Sequence, residues 1–535
     1  MKRLFTIVCA LFAVVAVSAQ SVKTVIIPQP VEAVAVKGLY TLSPKTVIAV
    51  SEEALVRPAT LFVEYVAKDL GATLAVAQGE KGGVRLMLDK SLGKEEYSLE
   101  ITPKGVQVKG GTAQAVFYGL QSLRQIVSAS EHTRKGVVLG GVAIKDKPMI
   151  GHRGAMLDVG RHFFTVAEVK TFIDIIAMHK MNVFHWHLTE DQGWRIEIKK
   201  YPNLTKVGSL RKETIVGRNS TSKTYDGTPH GGYYTQEEVR EIVKYAAERY
   251  IEVIPEIDMP GHMVAALASY PELGCRNEKF EVRTRWGISK DVLCAGKEST
   301  FQFVEDVLSE VISLFPSKYI HIGGDESPRD RWKECPLCQQ RIKDEGLANE
   351  HELQSYFMHR VEKWLSEHGR RIIGWDEIIK GGINKSATIM LWNDRNRAKA
   401  ISLGNDVILS PKYFCYIDYY QTKRPYSNKE GLMFKERILT LRKAYSLNPY
   451  EGLQPSEYGR IRGVQTNLWT EYIADFERVQ IKTLPRLAAT AEAGWTIGEK
   501  NFDDFARRLE HLRRLYDKNG IRYATYFFDG VDEIE

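Results

Sequence analysis

Tyr319-Ile-His-Ile-Gly-Gly-Asp-Glu326 decides how the rest of the 535-residue chain is read. Tyr319 to Ile322 are β-formers in a run short enough for a buried strand. Gly323 and Gly324 end the run and allow a close approach of backbone or ligand. Asp325 and Glu326 then stand just past the strand's C-terminal end. Neighbouring like charges raise the pKa of one partner, and burial raises it further, which is how a carboxyl stays protonated near neutral pH and serves as a general acid. A solvated loop carrying two acids would read the same way, so the choice rests on the surrounding chain.

From Pro148 onward the pattern is strand, loop, helix, repeated. Eight strands are predicted: Gly154–Asp158, Asn182–His187, Glu252–Pro255, Tyr319–Gly323, Arg371–Trp375, Thr388–Trp392, Asp406–Ser410 and Gly463–Leu468. Thr165-Val-Ala-Glu168 and Thr235-Gln-Glu-Glu238 are capping boxes that open two of the helices between them. Strands alternating with helices imply a parallel sheet, and eight units imply a (β/α)8 TIM barrel. An open doubly wound sheet would want a Gly-rich phosphate turn after an early strand, and none is present.

The flanks are organised differently. Residues 20–147 read as a small α/β support domain with strands Thr46–Val50, Val84–Leu88, Tyr97–Thr102 and Gly105–Lys109 and helices Pro58–Leu70 and Thr112–Val127. The barrel is assigned to 148–500 and a C-terminal helical segment, with a helix over Phe502–Lys518, to 501–535. Residues 1–19 read as a signal peptide: Lys2 and Arg3, an apolar run Leu4–Val17, and Val17-Ser18-Ala19 before Gln20. That predicts an exported protein, periplasmic or extracellular, without membrane insertion. The formal charge of +7 is small for this length and includes Lys2 and Arg3, and no basic block points to nucleic acid. Five cysteines follow Cys9. Export permits disulfides, and Cys275–Cys294 could close a loop. Cys335-Pro-Leu-Cys338 has CxxC spacing but lacks a second CxxC or a nearby His pair to complete a zinc site, so no metal is expected.

A barrel enzyme carries its chemistry at the C-terminal ends of its strands. Those ends here supply Arg161; His185, His187 and Asp191; Glu256, Asp258 and His262; Asp325 and Glu326; Trp375; Trp392; Tyr416 and Asp418; Trp469 and Glu471. Tryptophans with carboxylates around one mouth suit a sugar, because aromatic faces cover its C–H surface while carboxylates and arginine bond its hydroxyls.

These residues carry a resemblance. Gly154-Ala-Met-Leu-Asp-Val-Gly-Arg-His-Phe-Phe164, His185-Trp-His-Leu-Thr-Glu-Asp-Gln-Gly-Trp194, Pro255-Glu-Ile-Asp-Met-Pro-Gly-His262 and His321-Ile-Gly-Gly-Asp-Glu326 resemble the family-20 glycoside hydrolases, the β-N-acetylhexosaminidases. Gly374-Trp-Asp-Glu-Ile378, Tyr416-Ile-Asp418 and Leu468-Trp-Thr-Glu471 continue the match. The resemblance implies an exo-acting, retaining, substrate-assisted hydrolase needing no cofactor, an exception to the usual scheme of two enzyme carboxylates. It implies Glu326 as general acid/base and Asp325 as the group that orients and stabilises the 2-acetamido group. Tyr416 would bond the acetamido oxygen. Trp375, Trp392 and Trp469 would wall the sugar, and Arg161, Asp418 and Glu471 would bind hydroxyls. Asp191 with His262 would support the acid.

The substrate class implied is a glycan or chito-oligosaccharide ending in a β-linked N-acetylhexosamine. Gluco and galacto sugars, the aglycone and the oligomeric state stay open. The loops Gly208–Tyr233, Met263–Thr300 and Tyr419–Arg462 are expected to shape further subsites.

Plainer readings stand beside these. Arg161 could serve a structural Asp, and Asp191 with His262 could be no more than a hydrogen-bonded pair. Glu256, Asp258 and Glu377 read as buried support, and Trp194 as core. Two rival functions are a metallohydrolase using His185 and His187, and a catalytically silent sugar-binding protein, whose mark would be the loss of Asp325 or Glu326.

Overall fold

The computed structural model describes residues 24–422 and 437–531. The signal-peptide reading, and part of the loop Tyr419–Arg462, lie outside the described residues. No helix among the described residues is long and apolar enough to cross a membrane.

The first unit is a mixed sheet. Its path runs Glu32–Leu42, Gly136–Asp146, Tyr97–Thr102, Gly105–Gly110, Val84–Leu88, Val47–Val50 and Ala75–Gln78, with Glu131–Thr133 added beside Gly136–Asp146. Helices Val56–Leu70 and Ala113–Ala129 bury their apolar faces, including Phe62, Val66, Val116, Leu120, Leu123 and Val127. Thr112 caps the second helix by accepting from the Ala115 N–H. Two long strands were not expected from sequence, Glu32–Leu42 and Gly136–Asp146. Both are interrupted by glycine: the register shifts between Ala35 and Leu39 around Gly38, and Gly140-Gly141 stands in the partner. Such interruptions break the two-residue alternation that marks a strand.

The second unit is a closed parallel barrel of eight strands: β1 (His152–Asp158), β2 (Val183–His187), β3 (Glu252–Glu256), β4 (Tyr319–His321), β5 (Arg371–Trp375), β6 (Thr388–Leu391), β7 (Asp406–Leu409) and β8 (Ile461–Leu468), the last pairing with β1. Each expected barrel strand is present, with ends differing by two residues at most. Pairing of β4 with β5 continues past His321 through the Ile322 N–H to Ile373 O (2.9 Å) and the Trp375 N–H to Gly323 O (2.9 Å). Both predicted capping boxes form. The interior is packed: Met156, Val183, Ile254, Ile373, Trp375, Met390 and Ile408 meet on the axis, the stacked layers of a filled barrel.

Helix Arg486–Trp495 packs on β8 and β1, and helix Phe502–Asn519 packs on Ala113–Ala129 of the first unit, ending at Gly520 in the left-handed conformation. The two units also meet through a buried carboxylate. Asp146, the last residue of Gly136–Asp146, accepts from the Tyr97 hydroxyl (2.6 Å), the Trp495 indole N–H (2.9 Å) and the Val31 N–H (3.2 Å), and pairs with Lys180 Nζ at 3.3 Å. The Lys180 and Asp146 side chains are fully buried.

The cysteine reading is corrected here. The fold brings Cys275 and Cys294, from the loop after β3, onto Cys335 and Cys338, so the CxxC pair has two further thiols beside it.

Removing one partner of a buried ion pair leaves the other charge stranded. Asp146→Ala should therefore destabilise the protein by about 3–5 kcal/mol, read as a lowered midpoint in thermal or denaturant unfolding. An unchanged midpoint would show that Lys180 does not depend on Asp146.

Candidate active site

The backbone after β4 sets the site. Gly323 and Gly324 adopt φ of 65° and 94°. A Cβ at Gly323 would lie 1.7 Å from Asp258 Oδ1, and one at Gly324 would lie 2.3 Å from Ile378 Cγ2. The left-handed conformation and the crowding both require glycine here. The Gly324 N–H donates to Asp258 Oδ1 at 3.2 Å. Glu326 is itself left-handed (φ 41°), and Glu377 Oε2 accepts its N–H at 3.0 Å. A non-glycine residue persists there only when its surroundings over-determine it. Asp325 is thereby turned into the protein, its side chain 14% exposed, and Glu326 outward at 41%.

His262 stands against both. Its Nε2 lies 3.6 Å from Glu326 Oε2 and 4.0 Å from Asp325 Oδ2, and its Nδ1 lies 3.0 Å from Glu190 Oε2. Burial pushes the imidazolium down, but Glu190, Glu326 and Asp258 outweigh it and hold the His262 pKa well above the usual value. Burial raises Asp325, His262 opposes it, Glu326 adds to it, and its pKa settles at about 6. Glu326 is less buried, and contact with His262 brings it below the usual range. Burial and the neighbouring Glu326 charge thus raise one carboxyl of the pair, as the sequence argument expects, and the raised one is Asp325.

The expected Asp191–His262 pair is refined: Asp191 stands within 4.8 Å of His262 and feels its charge, but its own bonds lie elsewhere. Asp191 Oδ1 accepts the Val264 N–H (3.0 Å) and Oδ2 bonds Arg283 Nη1 (2.8 Å), so it fastens the loop after β3. The carboxylate on His262 is Glu190, which also pairs with Arg161 Nη2 and holds its own pKa well below normal against the cost of burial. Sequence reading passed over Glu190. Motif position points instead to its neighbour Asp191, which stands in the turn after Thr189–Glu190 and turns its carboxylate to the loop after β3.

Arg161, fixed by Glu190 and by Asp158 (3.3 Å), lies 4.9 Å from the Trp469 ring centroid. It therefore has the structural Asp partner that the plainer reading foresaw and still borders the cavity. That cavity, about 490 Å³, is walled by Trp392, Trp469, Tyr416, Asp418 and Glu471, with Asp325, Glu326 and His262 on one side. Gly287 and Ile288 from the loop after β3, Lys412, Tyr419 and Arg437 from the loop after β7, and Tyr472 and Ile473 after β8 also line it. Trp375 is expected among the lining residues but lies deeper: it is 1% exposed, its indole N–H donates to Glu256 Oε1 (2.8 Å), and its ring is 5.7 Å from that of Trp469.

Burial, with Glu471 adding, moves Asp418 up to about 7, and burial raises Glu471. Asp325 Oδ1 and Asp418 Oδ1 are buried without a hydrogen-bond partner. A larger opening of about 780 Å³ at the opposite end of the barrel is lined by strand beginnings such as Asn182, Glu252 and Thr388 and lacks such a carboxylate cluster.

His185 and His187 share one carboxylate. Glu256 Oε2 lies 3.0 Å from His185 Nε2 and also contacts His187 Nδ1, while Glu256 Oε1 reaches His321 Nδ1 at 2.9 Å. Neither histidine borders the mouth cavity. This buried network supports the floor of the site, the role expected for Glu256 from sequence. Trp194 is core, with its indole N–H on Ile196 O.

Comparison with known proteins places this geometry. The model of "Glycosyl hydrolase family 20, catalytic domain" matches residues 151–497, and that of "Glycosyl hydrolase family 20, domain 2" matches 23–147. A beta-hexosaminidase of Porphyromonas gingivalis is 45% identical over 514 residues, 93% of this chain, which spans 64% of that relative's length. The structure of Streptomyces plicatus N-acetyl-beta-hexosaminidase in complex with Thio-NAglucal superposes with a TM-score of 0.81 at 33% identity, covering 93% of this chain and 96% of that one. An exo beta-N-acetylglucosaminidase of Vibrio harveyi in complex with N-acetylglucosamine gives a TM-score of 0.82 at 28% identity, covering 95% and 79%. The barrel mouth, the unit before it and the motifs that build both are those of one family: the chain belongs to glycosyl hydrolase family 20.

Proposed function

We propose that this protein is an exo-acting β-N-acetylhexosaminidase that releases terminal non-reducing N-acetyl-β-hexosamine from glycans or chito-oligosaccharides by a retaining, substrate-assisted reaction. The observation that carries the reading is the division between adjacent carboxyls. Asp325 is inward with Oδ1 unpartnered, and Glu326 is outward against His262. An acetamido N–H is the donor that Asp325 lacks. The relatives' names and the bound N-acetylglucosamine of the Vibrio harveyi structure support the same substrate class.

In the reaction the acetamido oxygen attacks the anomeric carbon as the bond to the glycosidic oxygen breaks. Glu326 protonates that oxygen. Asp325 accepts the acetamido N–H and stabilises the positive charge of the oxazolinium. Water then attacks the anomeric carbon from the face the aglycone left, opposite the acetamido oxygen, Glu326 takes its proton, and the oxazolinium ring opens with configuration retained. Tyr416 holds the acetamido oxygen, Trp392 and Trp469 cover the ring, and Arg161, Asp418 and Glu471 bind hydroxyls. The sequence ahead of Gln20 supports export of the enzyme to its glycan.

A glucoside with a plain 2-hydroxyl should be turned over far more slowly than the matching N-acetylglucosaminide. Equal rates would point to an enzyme nucleophile and overturn substrate assistance. Glu326→Gln should lower kcat/KM about 10²–10⁴-fold on an alkyl glycoside and much less on an aryl glycoside whose leaving group needs no proton. Asp325→Asn should cost about 10²–10³-fold on both. The reverse pattern would exchange the two roles.

The reaction needs ionised Asp325, and its pKa is raised to about 6. kcat/KM should therefore fall as pH drops through about 6. Because Glu326 contributes to that elevation, Glu326→Gln should move the acid limb to lower pH on the activated aryl substrate. An acid limb that stays in place would assign it to another group.

A further inference from the structure

We propose that Cys275, Cys294, Cys335 and Cys338 form a structural zinc site that clamps the loops after β3 and β4 together. The four Sγ atoms lie within 4.8 Å of one another. Cys294 Sγ is 3.5 Å from Cys338 Sγ and 3.8 Å from Cys335 Sγ, and Cys275 Sγ is 3.8 Å from Cys338 Sγ. Four sulfurs placed tetrahedrally about 2.3 Å from Zn²⁺ stand about 3.8 Å apart. Two disulfides would instead draw each pair together to about 2.05 Å. Here no pair stands apart from the others, because Cys294 approaches both members of the CxxC and Cys338 approaches both distant cysteines.

The backbone around the cluster offers it positive partial charge. The Gly296 N–H donates to Cys294 Sγ. Cys335 is the N-cap of helix Pro336–Asp344 and Cys338 lies in its first turn, where the helix dipole favours negative charge. Gly296 presses the Cys294-Ala-Gly296 turn onto the CxxC turn: a Cβ there would lie 2.3 Å from Leu337 C and 2.4 Å from Cys338 N. Cys294, Cys335 and Cys338 are at most 5% exposed, and Cys275 is half-buried.

The frame around the cluster is held independently. Leu293 bridges to Gly274, the Cys294 N–H donates to Leu273 O (2.8 Å), and the Trp332 indole N–H donates to Leu293 O (3.0 Å). Four sulfur ligands make a closed site with no open position, so the metal is structural and not catalytic. Thiolates select zinc over hard cations. Zn²⁺ would replace the four thiol protons, which makes binding pH-dependent and couples it to folding.

The position gives the clamp a purpose. Between Cys275 and Cys294 the chain carries Arg283, which bonds Asp191, and Gly287 and Ile288 of the cavity wall. Cys335 and Cys338 lie shortly after Glu326. The site ties together the two loops that frame the acid side of the mouth.

Full-length protein purified without chelator should contain about one zinc per chain. An organomercurial should release it as four thiols react. The Co²⁺-exchanged protein should show thiolate-to-cobalt charge-transfer absorption and tetrahedral d–d bands. Cys294→Ser should hold less than about a tenth of the wild-type zinc and unfold at lower temperature. If that variant does not fold, wild-type metal content and thiol count decide alone. Glu326→Gln should keep its full zinc, which separates this site from the catalytic reading. Either two disulfides found in the intact mass of zinc-free protein, or free thiols at all four positions, counted beside that of Cys415, that take up neither added Zn²⁺ nor Co²⁺, would overturn the proposal.

Discussion

One buried cation, the His262 imidazolium, organises the mouth of the barrel. It faces Glu190 at 3.0 Å, Glu326 at 3.6 Å and Asp325 at 4.0 Å, and the Asp258 charge also acts on it. Buried carboxylates this close would repel one another and lose their charge to burial if no cation stood among them. Glu190 follows β2, Asp258 and His262 follow β3, and Asp325 and Glu326 follow β4. Only lateral pairing of three consecutive strands brings them together. Removing the imidazole would leave several buried acids without their common partner, which is the costly way to break such a network.

The cation can work only because the backbone fixes what faces it. At Gly323 the chain turns in a conformation that leaves Asp258 in van der Waals contact with the main chain, and at Gly324 it leaves Ile378 there. Glu377 then holds the Glu326 N–H, and its own pKa rises to about 8 through burial and the nearby Asp325 charge. Glu377 is thus a support applied directly to the backbone of Glu326. Below this layer Glu256 gathers three histidines and the Trp375 indole, so the floor is as fixed as the turn.

The barrel was legible because its strands are short apolar runs separated by capped helices, a pattern local to each unit. The family resemblance was legible because the motifs lie at strand ends, where side chains converge whatever the loops do. What stayed hidden needed three dimensions. Glu190 and Asp191 are neighbours in the chain, and only the direction of each side chain assigns His262 to the first. Asp325 and Glu326 are equally acidic on paper, and it takes the fold to raise the first by burial and the neighbouring charge and to lower the second through His262. Cys275 and Cys294 have no CxxC spacing of their own, and no sequence pattern brings them to Cys335 and Cys338. The strand Glu32–Leu42 was missed because Gly38 and mixed exposure erase its alternation.

The protonation of the free site also bears on the proposed chemistry. His262 is held in its charged form and Glu326 in its ionised form, the reverse of what proton donation by Glu326 needs. The ion pair His262⁺–Glu326⁻ and its neutral isomer differ only in the position of one proton, so the two residues titrate as a unit. Water at the exposed Glu326 favours the ion pair. A sugar that displaces this water penalises both charges and shifts the proton toward Glu326. Asp325 moves in the opposite sense. With its pKa at about 6 it is only loosely committed to its charge, and the positive charge that forms on the acetamido group pulls that pKa down. Both carboxyls therefore become better matched to their roles as the reaction advances than they are in the empty site, and interactions that strengthen toward the transition state are the ones that accelerate the chemical step.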